Sequence, residues 1–160
     1  MTTRKLHAHS VRYGFNQSLS APVEEAFEWC TDYQPDDLTT MRETGKRTIR
    51  KITNDSIILM ETIPIKNRTI KRTKLVRLNR PEFSWTNTHI SGPNQHSQFL
   101  YKLVPEGKKR SRLYFKGLLV YYSRNPLTKQ QLIKIGREER RADSTAWRHL
   151  ATALRREKKT

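Results

Sequence analysis

Five histidines, His7, His9, His89, His96 and His149, are the first candidates for chemistry, because imidazole titrates nearest neutral pH. None has metal spacing: there is no H-E-x-x-H, and His7 and His9 lie close to the chain start, where ends fray. The single cysteine, Cys30, has no second thiol for a disulfide and no C-x-x-C neighbour for zinc. It reads as a small residue on a buried helix face, and its solitude fits a reducing cytoplasm. There is no G-x-S-x-G and no glycine-rich phosphate loop, and the six glycines are scattered singly. Neither a metal nor a cofactor is expected. Acid–base chemistry would fall to His89, Glu61 or Tyr101, titratable groups set among apolar strand residues. Such a set would suit cyclisation or dehydration of an apolar carbonyl compound, although each residue also has a structural explanation.

Charge is the strongest compositional feature. The chain carries 32 basic and 15 acidic residues, a net charge of +17. Residues 1–45 have a net charge of −3 and residues 46–160 of +20. A field of that size attracts polyanions, whether RNA, ribonucleoprotein or an anionic membrane surface. No apolar run approaches the ~20 residues of a membrane span, and Met1 to Ser10 lacks the apolar core of a signal peptide. A cytoplasmic protein is expected, free or peripheral to a membrane.

The elements that must position these groups follow from periodicity. Apolar residues alternate through Val11–Leu19, the period of a half-buried strand. Pro22 then opens a helix whose Val23, Ala26, Phe27 and Cys30 share one face, with Glu24 and Glu25 where the dipole favours anions. A second short helix is expected after Pro35. From Lys46 to Tyr122, strand-like runs alternate with turn signals. The runs are Lys46–Thr53, Ser56–Ile65, Asn67–Leu78, Phe83–Ile90, Gln98–Val104 and Arg112–Tyr122. Six strands in series with short connections make an antiparallel meander. Thr128 then caps a helix running towards Lys158, with Trp147, Leu150, Ala151 and Leu154 on one apolar face. Gly136 sits inside that helix at a cost of roughly 1 kcal/mol relative to Ala. Packing, a cavity or a bend would account for it.

This order, in one α+β domain spanning residues 1–160, resembles the helix-grip fold of the SRPBCC superfamily. That superfamily includes START lipid-transfer domains, birch-pollen-allergen-like proteins and polyketide cyclases. Gln17-Ser-Leu-Ser-Ala-Pro-Val-Glu-Glu-Ala-Phe-Glu-Trp29 looks like its first strand running into its first helix. Phe99–Gly107 followed by Ser111–Phe115 looks like its last hairpin. The resemblance implies a seven-stranded curved antiparallel sheet around the long C-terminal helix, with two short helices after the first strand. It implies an internal cavity that binds a small hydrophobic or amphipathic ligand such as a lipid, quinone or polyketide, with a cyclase or dehydrase as a further reading. No catalytic motif is shared across the superfamily, so none is carried over.

Strand alternation nominates the cavity's lining. Phe115 and Leu119 share a face of the last strand, Phe99 and Tyr101 of the one before, and Trp85, Asn87 and His89 of the one before that. Phe15 takes Gln17 inward with it, and Glu61 lies between Leu59 and Ile63. A few polar groups among aromatics are the usual make-up of a ligand site. The alternative puts Asn87 and His89 at the sheet's open end, in solvent. On the C-terminal helix, stepping back from Trp147 reaches Asp143, Arg140 and Gly136. Arg140 is expected to reach a ligand carboxylate or phosphate, with Asp143 as its resting partner. The plainer alternative is a solvated Arg140–Asp143 pair.

The remaining cluster is basic: Lys66, Arg68, Lys71, Arg72, Lys74 and Arg77, with Lys108, Lys109 and Arg110 in a later loop. Both parities are occupied, so one flat face cannot hold them all. They are assigned to the surface, with some snorkelling past an edge or lining the cavity mouth. Either the exterior serves solubility and membrane docking, or it is the functional surface. Tyr114 is the main outward aromatic, and one is too few to identify nucleic acid.

Overall fold

The computed structural model describes residues 5–160. Strand β1 (His7–Leu19) leads into helices α1 (Val23–Thr31) and α2 (Asp37–Thr40). Strands β2 (Lys46–Thr53), β3 (Ser56–Ile65) and β4 (Arg68–Asn79) follow. A 3₁₀ turn (Arg80–Glu82) precedes β5 (Ser84–Ser91), β6 (Gln98–Pro105) and β7 (Ser111–Ser123), and α3 (Lys129–Glu157) closes the chain. The sheet order is β1-β7-β6-β5-β4-β3-β2, antiparallel throughout. Six strands thus form an uninterrupted meander from β2 to β7, and β1 returns to pair with β7.

Strand ends differ from the sequence expectation by one residue in β4 to β7 and by four at the start of β1. β1 begins at His7 because His7–Ser10 pair with Val120–Ser123 of β7. Backbone pairing makes these residues a strand although their sequence shows no alternation of apolar and polar types. Phe83 lies outside β5: it caps the 3₁₀ turn, which holds Pro81 in its first positions, and sits in the left-handed region at φ 48°. Its ring still packs edge-on against Phe27.

One face of the sheet covers the core. Near one end, Phe27 and Ala26 of α1 and Leu154 of α3 pack with Leu59, Val76, Trp85 and Leu113. Val11, Phe99, Phe115 and Leu119 form a second cluster against Leu132 and Ile135 of α3. Each fully buried aliphatic or aromatic side chain contributes about 1.5–3 kcal/mol. Helix α3 starts with a capping box: Gln131 N donates to Thr128 Oγ1 (3.1 Å), and Thr128 N donates to Gln131 Oε1 (2.8 Å). It runs without interruption for 29 residues. Among the described residues, no helix is long and apolar enough to cross a membrane.

A candidate ligand cavity between sheet and helix

The register of β2, β3 and β4 places Arg47, Glu61 and Arg72 directly opposite one another across three strands. All three point inward. Arg47 donates from Nε (3.3 Å) and Nη2 (2.9 Å) to Glu61 Oε1. Arg72 donates from Nε (3.0 Å) and Nη2 (2.5 Å) to Oε2. Lys74 Nζ lies 3.1 Å from Oε1, and Asp37 of α2 sits 3.5 Å from Arg47 Nη1. The Glu61 side chain is 0% exposed. Burial alone would raise its pKa, but Lys74, Arg72 and Arg47 together hold it well below the carboxylate range. Burial and the neighbouring Arg72 pull the Lys74 ammonium down to about 8, against the opposing pull of Glu61. The carboxylate therefore anchors three cations gathered at one largely buried site, with Asp37 as a second partner for Arg47.

Those cations form one wall of a cavity of about 660 Å³. Glu61 itself does not line it; Arg47, Arg72 and Lys74 do. Next along the sheet come Trp85, Asn87 and His89, consecutive inward residues of β5. The rings of Trp85 and Tyr101 stack with centroids 4.9 Å apart at 2°, and Trp147 of α3 tilts onto both. Asn87 and His89 are 7% and 5% exposed. Asn87 Oδ1 and His89 Nδ1 are both buried without a hydrogen-bond partner among the described residues. Unpaired polar atoms at such depth cost about 1–3 kcal/mol each. His89 is held neutral, with its pKa pushed down to about 3 by burial and then by Lys74 and Arg72.

The opposite wall comes from β1 and α3. Tyr13 Oη donates to Asp143 Oδ2 at 2.5 Å. Burial raises the Asp143 pKa against the hydrogen bond from Tyr13, and burial likewise raises Glu139 one helical turn away. At the rim, burial followed by repulsion from Asp37 pushes Asp32 up to about 6. The cavity thus grades from a cationic wall through an aromatic middle to a rim with carboxylates.

Eight of the nominated residues line this cavity: Trp85, Asn87, His89, Phe99, Tyr101, Leu119 and, from α3, Asp143 and Trp147. Asn87 and His89 are interior, not solvent-facing. Phe15 and Phe115 stack on each other at 4.6 Å in the core beside the cavity. Gly136 is not a lining residue. A Cβ there would stand 2.7 Å from Val11 Cγ1, so this glycine lets α3 approach β1 closely. Arg140 is exposed on the outer side of α3 and does not line the cavity, which removes it as the expected anion ligand. Its supposed partner, Asp143, is bonded by Tyr13 instead. A helix has only one sheet-facing stripe, and the step from Asp143 back to Arg140 turns past its edge.

The basic cluster also divides. Arg72 and Lys74, assigned by the sequence to the surface, are interior cavity residues, because they share the inward parity of Val76 and Leu78. Lys66, Arg68, Lys71, Arg77, Lys108, Lys109 and Arg110 are exposed. Sequence reasoning missed Tyr13 and Arg47. The signal was present: Tyr13 shares its parity with Val11 and Phe15, and Arg47 with Ile49. Tyr33 was also missed. It lines the cavity from the loop after α1, with a left-handed backbone that no periodicity marks.

No family model and no curated protein matches this chain. Solved structures do. The Zhui aromatase/cyclase from Streptomyces sp. R1128 superposes with a TM-score of 0.74 at 12% identity, over 92% of this chain and 95% of that one. A START superfamily protein from Mycobacterium smegmatis gives 0.69 at 15% identity, over 89% and 98%. Major latex-like protein 151 from Panax ginseng gives 0.64 at 5% identity, over 91% and 97%. At these identities the likeness is one of fold.

Proposed function

We propose that this helix-grip chain binds a small amphipathic molecule, such as a lipid, quinone or polyketide, in the cavity between its sheet and α3. One observation carries the reading: Asn87 Oδ1 and His89 Nδ1 are buried, unpaired and set among aromatic rings on the cavity wall. Native interiors rarely leave such atoms without a partner. A ligand with an apolar body over Trp85, Tyr101 and Trp147, and a polar end towards His89, Lys74 and Arg72, would supply one. An aromatase/cyclase among the similar structures makes catalysis on such a ligand the rival reading.

Proton-transfer chemistry is poorly supported by the groups available. A histidine with pKa about 3 is a weak base at neutral pH, and the Tyr101 hydroxyl is pushed well above its usual value by burial. Glu61 is sequestered behind its three cations. Binding is therefore favoured over cyclisation.

The test uses the neutral apolar fluorophore N-phenyl-1-naphthylamine. Wild-type protein is expected to enhance its emission, and Ala146→Phe, which fills the cavity from α3, to abolish the enhancement. Native mass spectrometry of freshly purified protein should show a bound small molecule that Ala146→Phe lacks. No enhancement by the wild type and no co-purified mass would refute the proposal.

A further inference from the structure

The seven strands contain one carboxylate, Glu61, and it points inward. The other fourteen acidic residues lie in helices, turns and loops. On the sheet's outer face the register leaves eight outward cations and no outward acid. Two of these, Lys102 and Arg112, reach carboxylates at the ends of neighbouring elements, Glu82 and Glu106. The other six are Arg12, Lys46, Arg50, Lys71, Arg77 and Lys116. None of the six has a carboxylate within 4.0 Å among the described residues. They are spread over β1, β7, β4 and β2, from one edge strand to the other, a width of about 29 Å at ~4.8 Å per strand.

Between these cations, hydroxyls alternate with exposed apolar side chains such as Met60, Ile90 and Leu100. Lys116 and Arg77 occupy one cross-strand row with Leu100 and Thr86 between them. Tyr114 stands in the next row, opposite Lys102 and Asn16, and is 47% exposed. Serines and threonines fill about half of the remaining outward positions of β3, β4 and β5. Fixed positive charge, hydroxyls and an exposed ring suit a phosphate backbone with unstacked bases.

The shape selects among polyanions. The sheet wraps α3, so its outer face is convex. A bilayer is flat, and a duplex is stiff over about 150 base pairs; either would touch a convex face along a strip and miss cations at both edges. A flexible single strand can follow the curve. We infer that the convex face of the sheet is a binding surface for single-stranded nucleic acid, contacted through Arg12, Arg77, Lys116 and their neighbours, with Tyr114 as a stacking platform.

The test is fluorescence anisotropy with labelled twelve-nucleotide oligouridylate and oligodeoxythymidylate. With about six phosphate contacts, affinity should fall several hundred-fold between 50 and 200 mM salt, following a slope near −0.7 per contact. Arg12→Glu/Arg77→Glu/Lys116→Glu should reduce affinity at least a hundredfold. A charge-matched control, Arg141→Glu/Arg155→Glu/Lys159→Glu, removes the same charge from α3 and the tail and should lose less than fivefold. Tyr114→Ala should lose at least fivefold while leaving the salt slope unchanged. Thermal melts of each variant check the fold, since every altered side chain is at the surface. Equal losses from the two triple variants would overturn the inference by showing generic charge attraction. So would tighter binding to a duplex of the same length, tighter binding to phosphatidylserine vesicles, or no binding to either oligonucleotide at 50 mM salt.

Discussion

Glu61 is the residue on which the interior depends most. Its carboxylate accepts from two guanidinium groups and one ammonium while fully buried. Removing one partner of a buried charge network leaves the others uncompensated, a loss of about 3–5 kcal/mol. Glu61→Gln keeps the shape, removes the charge and turns one acceptor oxygen into a donor facing a guanidinium, so urea denaturation should show a loss of that size. His89 gives a second residue-scale expectation, with a sign that follows from linkage. Its pKa in the fold is about 3, against 6.5 for a free side chain. Above pH 6.5 both states are neutral and the group's contribution is fully present. As pH falls from 6.5 towards 3, the unfolded chain takes up a proton that the fold refuses, and stability declines by up to about 1.4 kcal/mol per pH unit. His89→Gln should flatten the stability profile between pH 6 and 4 relative to wild type.

Among the elements, α3 illustrates how packing overrides propensity. Alanine at position 136 would favour an isolated helix by roughly 1 kcal/mol. In the fold, its Cβ would meet the stiff β-branched side chain of Val11 at 2.7 Å. Overpacking of this kind costs about 1–3 kcal/mol. Gly136→Ala should therefore lower the melting temperature, and Val11→Ala in the same chain should recover part of the loss. A double-mutant cycle would measure that coupling. The strands show the converse, since pairing and inward parity decide what their charged residues do. On β4 the alternation sends Arg72 and Lys74 into the cavity and Lys71 and Arg77 to the outside.

For the whole molecule, one sheet separates two proposed surfaces. The concave side holds the aromatic cavity and its three anchored cations, and the convex side holds the acid-free cationic face. The two share strands but no side chains. Coupling between them would need a two-state element that both sites bias, and the continuous antiparallel sheet supplies a rigid partition instead. Ala146→Phe, which plugs the cavity, should therefore leave oligonucleotide affinity within twofold of wild type in the same anisotropy measurement. A larger change would show that the cavity's filling reshapes the sheet. The net charge of +17 acts on both sides at long range, whereas the rim carboxylates act close in.

The order of elements was legible in the sequence because periodicity and turn chemistry are local: alternation in Val11–Leu19, Pro22 opening a helix, Thr128 ahead of an apolar stripe. So was the inward aromatic set on β5, β6 and β7, since alternation reports which side chains share a face. The sequence also held the charge asymmetry and the absence of metal spacing. It could not reveal that Arg47, Glu61 and Arg72 stand in one row, because register is fixed by pairing across strands far apart in the chain. Nor could it place Arg140 outside and Gly136 against Val11, because the rotation of α3 is set by which residues fit the sheet beneath it. Local rules assign a residue to a face; only the packing of one element on another decides what that face meets.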